Sequence, residues 1–203
     1  MSAIPKQRFT EAEYLAMESA SEFKHEYFQG EIFAMSGASP EHDRIFRNTL
    51  TSLHIQLRGG PCEPFSDDIR VRVSATRLYT YPDISVVCGE AEFTEDNPPS
   101  LLNPTLIVEV LSPSTEAYDR GTKFHNYQTL DSLQEYVLIS QNAARVECFR
   151  RQANDAWLFE QAVGLDATID LHSIQCTMGL ADVYEKVTLP DETMLPPPSS
   201  STE

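Results

Sequence analysis

Basic residues are scarce in this chain of 203 residues: 15 Lys and Arg stand against 31 Asp and Glu, a formal net charge of −16. That excludes a broad basic face gripping a nucleic-acid backbone by counterion release. It does not exclude a nuclease, because a metal-loaded cleft brings its own positive charge and local basic residues matter more than the total. Any DNA binding should then be weak, metal-dependent and strongly salt-sensitive. Long apolar runs are also missing. No stretch approaches the length of a membrane span, and the N-terminal MSAIPKQRFTEAEYL has no apolar core of a signal peptide. A cytoplasmic protein with no membrane partner is expected. The four cysteines, Cys62, Cys88, Cys148 and Cys176, include no C-x-x-C pair. A zinc site is disfavoured, and they read as reduced, mostly buried thiols. There is no internal repeat.

What is present suits a globular fold: 41% hydrophobic and 23% charged residues. A single domain is expected over residues 1–188. The remainder, 189–203, reads LPDETMLPPPSSSTE and is expected to be a disordered Pro/Ser-rich tail. Thr10-Glu11-Ala12-Glu13 is a capping box opening a short helix to about Ser19. Phe23–Phe28 and Glu31–Met35 read as a hairpin turning at Gln29-Gly30. Ser39-Pro40 starts a helix to about Leu57. Ile69–Val73 alternates as a strand with Arg70 and Arg72 on a wet face, followed by a loop. Asp83–Cys88 is a buried strand, Tyr136–Ser140 another, and Arg145–Arg150 with Trp157–Val163 a hairpin or meander. Ile169–Leu171 and Cys176–Met178 are short segments of either type, and Gly179–Val187 is a last helical turn. The class is α/β (α+β), with a mixed sheet.

The stretch Thr105–Lys123, TLIVEVLSPSTEAYDRGTK, organises the rest. Its apolar run to Leu111 is a buried strand interrupted by one charge, Glu109. A helix follows from about Glu116 to Leu130, with Gly121 a weak point, and Asp119, Lys123 and Tyr127 share one of its faces. An unpaired buried carboxylate costs several kcal/mol, so a metal or a lysine must compensate Glu109. A structural Glu109–Lys123 salt bridge and a catalytic site are both open here. Asp83 and Glu109 lie on consecutive strands whose carboxylates can converge. Two carboxylates, waters and phosphate oxygens make the usual magnesium site, and the Val110 backbone carbonyl could add a ligand.

At these residues the chain resembles the PD-(D/E)xK nucleases, and more closely the Uma-two family of restriction-endonuclease-like proteins. The matching pieces are HEYFQGEIFAMSGASPEH (His25–His42), YPDISVV (Tyr81–Val87), PTLIVEVLSPST (Pro104–Thr115), DRGTKFHNY (Asp119–Tyr127) and EYVLI (Glu135–Ile139). The resemblance implies a restriction-endonuclease-like mixed central sheet flanked by helices, with an added N-terminal hairpin. It also implies a magnesium (or manganese) site at Asp83 and Glu109. The wider pattern wants a lysine two residues after the glutamate, where Leu111 stands. In this family that role moves to the following helix, here to Lys123. Glu31 and Glu26 match acidic positions and either could add a carboxylate, or be an exposed charge on an edge hairpin. His42 matches the family's histidine, a proton carrier, phosphate contact or ligand, or else a local cap. Asp119 could simply hold Lys123, and Tyr127 could pack on the sheet or touch DNA. The expected function is a magnesium-dependent DNA endonuclease acting as a homodimer. The alternative is a catalytically degenerate nuclease-fold module that binds nucleic acid or protein.

Overall fold

Thr10 caps the first helix, α1 (Glu11–Ala20), through the reciprocal Thr10–Glu13 bonds that the sequence spells out. The structure is a computed structural model that describes residues 8–35 and 37–190. Strands β1 (His25–Phe28) and β2 (Glu31–Ala34) pair antiparallel. Both turn residues between them have positive φ, Gln29 at 50° and Gly30 at 87°, as a tight twisted hairpin requires. Helix α2 (Pro40–Leu57) begins with Ser39 accepting from the His42 N–H and buries Ile45, Thr49, Leu53 and Leu57 along one stripe.

The chain then weaves two sheets. In order come β3 (Cys62–Ser66), β4 (Arg70–Val73), β5 (Leu78–Thr80), β6 (Ile84–Cys88), β7 (Ser100–Leu101) and β8 (Leu106–Leu111). A continuous helix over 116–127 follows, made of α3 (Glu116–Tyr118), a π-helical turn Asp119–Lys123 and α4 (Phe124–Tyr127). Then come β9 (Glu135–Ser140), β10 (Arg145–Arg151), β11 (Trp157–Val163), the hairpin β12 (Thr168–Leu171) with β13 (Cys176–Gly179), and α5 (Leu180–Val183). One sheet runs β2-β1-β5-β4-β7 and the other β11-β10-β9-β8-β6-β3. Only β8–β9 is parallel in the larger sheet, and helix 116–127 supplies the crossover that such a pair needs.

Strand β8 is buried on both faces. Leu106, Val108 and Val110 pack with α2 and α5, while Ile107 and Leu111 face Val71, Leu78, Tyr127 and Leu138. The two sheets therefore meet over the second set, and Glu109 lies on that same face.

Several expectations need correction. Arg70 is only 1% exposed, and α1 covers the face expected to be wet. Its guanidinium donates to Ser100 Oγ and to the Pro98 carbonyl, and lies 5.5 Å and 5.2 Å from the ring centroids of Tyr14 and Tyr79. Arg72 pairs with Glu11. The loop after Val73 contains β5, and β3 was unforeseen. Helix 116–127 ends short of Leu130. Leu189, placed in the tail, packs against the core beside α5. The rest of the tail assignment, from residue 191, lies outside the described residues.

The thiol expectation is also overturned: Cys62 and Cys88 form a disulfide, being direct cross-strand partners on β3 and β6, whereas Cys148 and Cys176 are free and buried. A bridge closing a loop of this size stabilises by roughly 3 kcal/mol through the unfolded chain. Thiol titration of the unfolded, unreduced protein should find two thiols, and four after reduction, with a lower melting temperature. Four thiols without reductant would count against the bridge.

Candidate active site

Tyr81-Pro82-Asp83 carries the chain from β5 in one sheet straight into β6 in the other. Ile84 faces Val108 across the β6–β8 ladder, so Asp83, one step earlier, comes opposite Glu109. Asp83 Oδ2 accepts from the Val110 N–H at 2.6 Å, and Oδ1 lies 3.3 Å from His42 Nε2. The Val110 N–H thus anchors the Asp83 carboxylate beside Glu109. His42 reaches Asp83 from the first turn of α2. Burial disfavours its charge, but the hydrogen bond to Asp83 and the attraction of Asp83, Asp67 and Asp43 outweigh that and raise its pKa.

Glu109, 4% exposed, has its Oε1 2.8 Å from Lys123 Nζ and 3.0 Å from the Tyr127 hydroxyl, which donates to it. Burial pushes the Glu109 carboxyl well above its ordinary value; Lys123 opposes this, while Asp119 and Asp83 add to it. Lys123 is equally buried. Desolvation would lower its pKa, but Glu109, Glu26, Tyr127 and Asp119 hold it well above the usual lysine value. Asp119 is pushed upward by burial against the pull of Lys123. The cluster holds more carboxylates than cations, so Lys123 keeps its proton while Glu109 is driven toward taking one.

Two further carboxylates meet the lysine. Glu26 Oε1 is 3.3 Å from Lys123 Nζ, accepts from the Tyr81 N–H at 3.4 Å, and takes a hydrogen bond from the Thr80 hydroxyl. Asp119 Oδ1 is 3.6 Å from the same Nζ. The π-helical turn matters here. A wider turn brings residues four apart close to one line along the helix, so Asp119 and Lys123 both face Glu109.

The structure thus brings together Glu26, His42, Asp83, Glu109, Asp119, Lys123 and Tyr127 of the sequence candidates. Glu31 stands opposite Phe28 beside the hairpin turn and is not among the carboxylates on Lys123. Tyr127 is fully buried, which rules out the DNA contact considered for it. Glu26 is not on an edge, because β1 lies between β2 and β5. Thr80, Tyr81 and Tyr118 were missed as neighbours of the site. The first two belong to β5 and the crossover after it, and β5 is too short for a periodic signal.

Among the described residues, no three His, Cys, Asp or Glu side chains are arranged to hold a metal ion. The donor chemistry nevertheless fits a hard cation of the magnesium kind. Such an ion needs only one or two carboxylates and keeps its waters, and Asp83 and Glu109 supply that pair amid surplus negative charge. No described helix is long and apolar enough to cross a membrane.

A family profile described as "Uma2: Putative restriction endonuclease" matches residues 11–181. Two uncharacterized proteins of Synechocystis sp. are similar along most of the chain. One, sll1609, is 37% identical over 161 residues, 79% of this chain and 91% of its own; the other, slr1290, is 36% identical over 182 residues, 90% and 94%. A crystal structure from Anabaena variabilis, described as a "putative nuclease belonging to DUF820", superposes with a TM-score of 0.68 at 19% identity, covering 85% of this chain and 96% of that one. The fold is thus a nuclease-like mixed α+β architecture, and on the profile match and the two relatives the chain belongs to the Uma2 family.

Proposed function

We propose that this protein is a magnesium- or manganese-dependent DNA endonuclease acting at Asp83, Glu109 and Lys123. The supporting observation is the imbalance of the site: Glu26, Glu109 and Asp119 gather around one lysine, and Asp83 stands opposite Glu109 with His42 beside it. A structural salt bridge needs one carboxylate per lysine, and surplus buried carboxylates cost stability unless a further cation joins them. The family description and the name of the Anabaena structure support the same reading. Asp83, Glu109 and the Val110 carbonyl would hold the divalent ion, which supplies polarisation of the phosphate and a lowered pKa of bound water. Lys123 would orient the attacking water and neutralise charge building on the phosphate. His42, with Asp83 holding its Nε2, would carry a proton at that atom.

A second reading, a catalytically degenerate module, draws on the tightness of the Glu109–Lys123 contact, with both side chains nearly closed to solvent. Plasmid nicking with and without magnesium or manganese separates the two, since only the enzyme nicks. Calorimetric titration of Asp83→Asn should show the metal heat of the wild type lost or strongly reduced. Equal heats from the two proteins would sink the assigned metal site.

A further inference from the structure

Glu26 and Phe33 are direct cross-strand partners on β1 and β2. Partners of this kind put their side chains on the same face of a sheet. Glu26 turns inward to Lys123, while Phe33, on the edge strand beside it, remains 44% exposed. Tyr118 immediately precedes Asp119, which meets Lys123 from helix 116–127, and is half-buried. Burial, then the charge of Glu26, raise its hydroxyl pKa, with Lys123 opposing and Glu109 and Asp119 adding, so the ring stands within electrostatic reach of the whole cluster. Among the described residues neither ring is paired with another. Tyr14, Tyr27 and Tyr79, behind the same hairpin, pack on one another.

Among the described residues, three cations of the flanking elements are committed elsewhere. Lys24, just before β1, is bound by Asp67 at 2.9 Å and Asp68 at 2.7 Å. Arg44 and Arg47 on α2 pair with Glu41 and Asp43 on their own helix. A duplex held by its phosphates needs free Lys and Arg along the groove, and the described side chains that meet Lys123 are acids instead. Aromatic stacking does not need them, because every base has a π-face, and it is reached only when the base is unpaired.

We infer that Phe33 on β2 and Tyr118 on helix 116–127 form a stacking rim beside the Glu109–Lys123 site, and that the nucleic acid it takes is single-stranded or locally unpaired; this rests on the nuclease reading above. The rim holds bases on either side of the phosphate presented to Lys123, giving affinity that the chain's charge cannot.

The test is fluorescence anisotropy with a fluorescein-labelled polythymidine strand and a labelled duplex, in calcium to suppress turnover, using wild type, Phe33→Ala, Phe33→Tyr and Tyr118→Ala. Wild type should bind the single strand more tightly than the duplex. Each alanine variant should lose roughly five- to hundredfold in single-strand affinity, the scale of one base–aromatic stack, with little change on duplex. Phe33→Tyr should bind like wild type. Phe33 is exposed on an edge strand, so its alanine variant should melt with the wild type; a shared melting temperature certifies the comparison, and Phe33→Leu, which keeps apolar bulk without a π-face, should also lose affinity. Unchanged single-strand affinity in Phe33→Ala and Tyr118→Ala, or tighter duplex binding by wild type, overturns the rim. A protein that nicks duplex plasmid equally well with Phe33→Ala keeps the nuclease and loses the rim. One that cleaves nothing but loses single-strand affinity in these variants keeps the rim and loses the nuclease.

Discussion

Lys123→Met should lower cleavage by roughly a hundredfold or more, the usual scale for one electrostatic donor aimed at the transition state, and should also destabilise the fold. Its burial makes the second effect unavoidable. Lys123 Nζ touches Glu109, Glu26 and Asp119, and removing it leaves those carboxylates buried without a cation. Breaking a buried pair from one side costs about 3–5 kcal/mol. The Glu109 carboxyl limits the damage, because it is already driven upward by burial and can take a proton instead of staying charged. A double variant separates the two effects. Lys123→Met with Glu109→Gln removes both charges together, so the melting temperature should recover in part while cleavage stays lost. In a purely structural salt bridge the double variant also recovers stability, but the wild type never cleaves. If Lys123→Met cleaves at the wild-type rate, the role assigned to this lysine is wrong. Stability and rate must be read on one preparation, since misfolding alone would depress both.

Glu135→Ala should cost as much stability with no effect on the proposed metal site. Glu135, 0% exposed, starts β9 opposite Leu106, at the far end of β8 from Glu109. Unlike the site carboxylates it is fully provided for. Arg150 Nε donates to it at 2.7 Å, the His172 and Ser173 N–H groups at 3.0 Å each, and the Ser173 hydroxyl at 2.5 Å. Alanine would leave three donors beneath the β12–β13 hairpin without their acceptor and strip Arg150 of one of its partners, leaving it Glu160 and the Asp170 carbonyl, for a loss of about 3–5 kcal/mol. For a domain of this size that lowers the melting temperature by roughly 6–20 °C. Glu135→Gln keeps the shape and an acceptor and should lose less. Calorimetric metal heats, measured well below the melting transition, should match the wild type. A Glu135→Ala protein that melts like the wild type would mean that the donors find other acceptors.

The same contrast explains what could be read before the fold was known. That Asp83 and Glu109 would converge was legible because each is a charge in or beside an apolar strand, and that Lys123 would reach Glu109 was legible from its helix face and the match to a family. Helix α2 was legible from its cap, its first-turn proline and its apolar stripe. Strand β3 was not, because CEPFS contains Pro64, which removes a donor and is tolerated there only because β3 lies at a sheet edge. The burial of Arg70 was illegible for another reason. Alternation along β4 says which residues share a face, not that α1 and the Tyr14–Tyr79 pair will cover it. Nothing local marks Glu135 as a buried hub, since its partners come from positions 150, 172 and 173. Glu26 was undervalued because the strand that makes β1 internal, β5, is three residues long.

The crossover at Tyr81-Pro82-Asp83 has a kinetic consequence. Asp83 and Glu109 belong to one sheet and Glu26 to the other, so the cluster closes only when the two sheets dock. Each sheet contains pairings between residues far apart in the chain, such as β1 with β5 and β3 with β6, and contacts of that kind form slowly because loop entropy must be overcome first. Docking then brings Glu26 to Glu109 and Asp119, three carboxylates that repel one another until Lys123 arrives between them. During refolding, secondary structure should return before the ability to bind metal. That ability should appear with the slowest tertiary phase, and a divalent ion added at the start should speed that phase by screening the carboxylates as they converge.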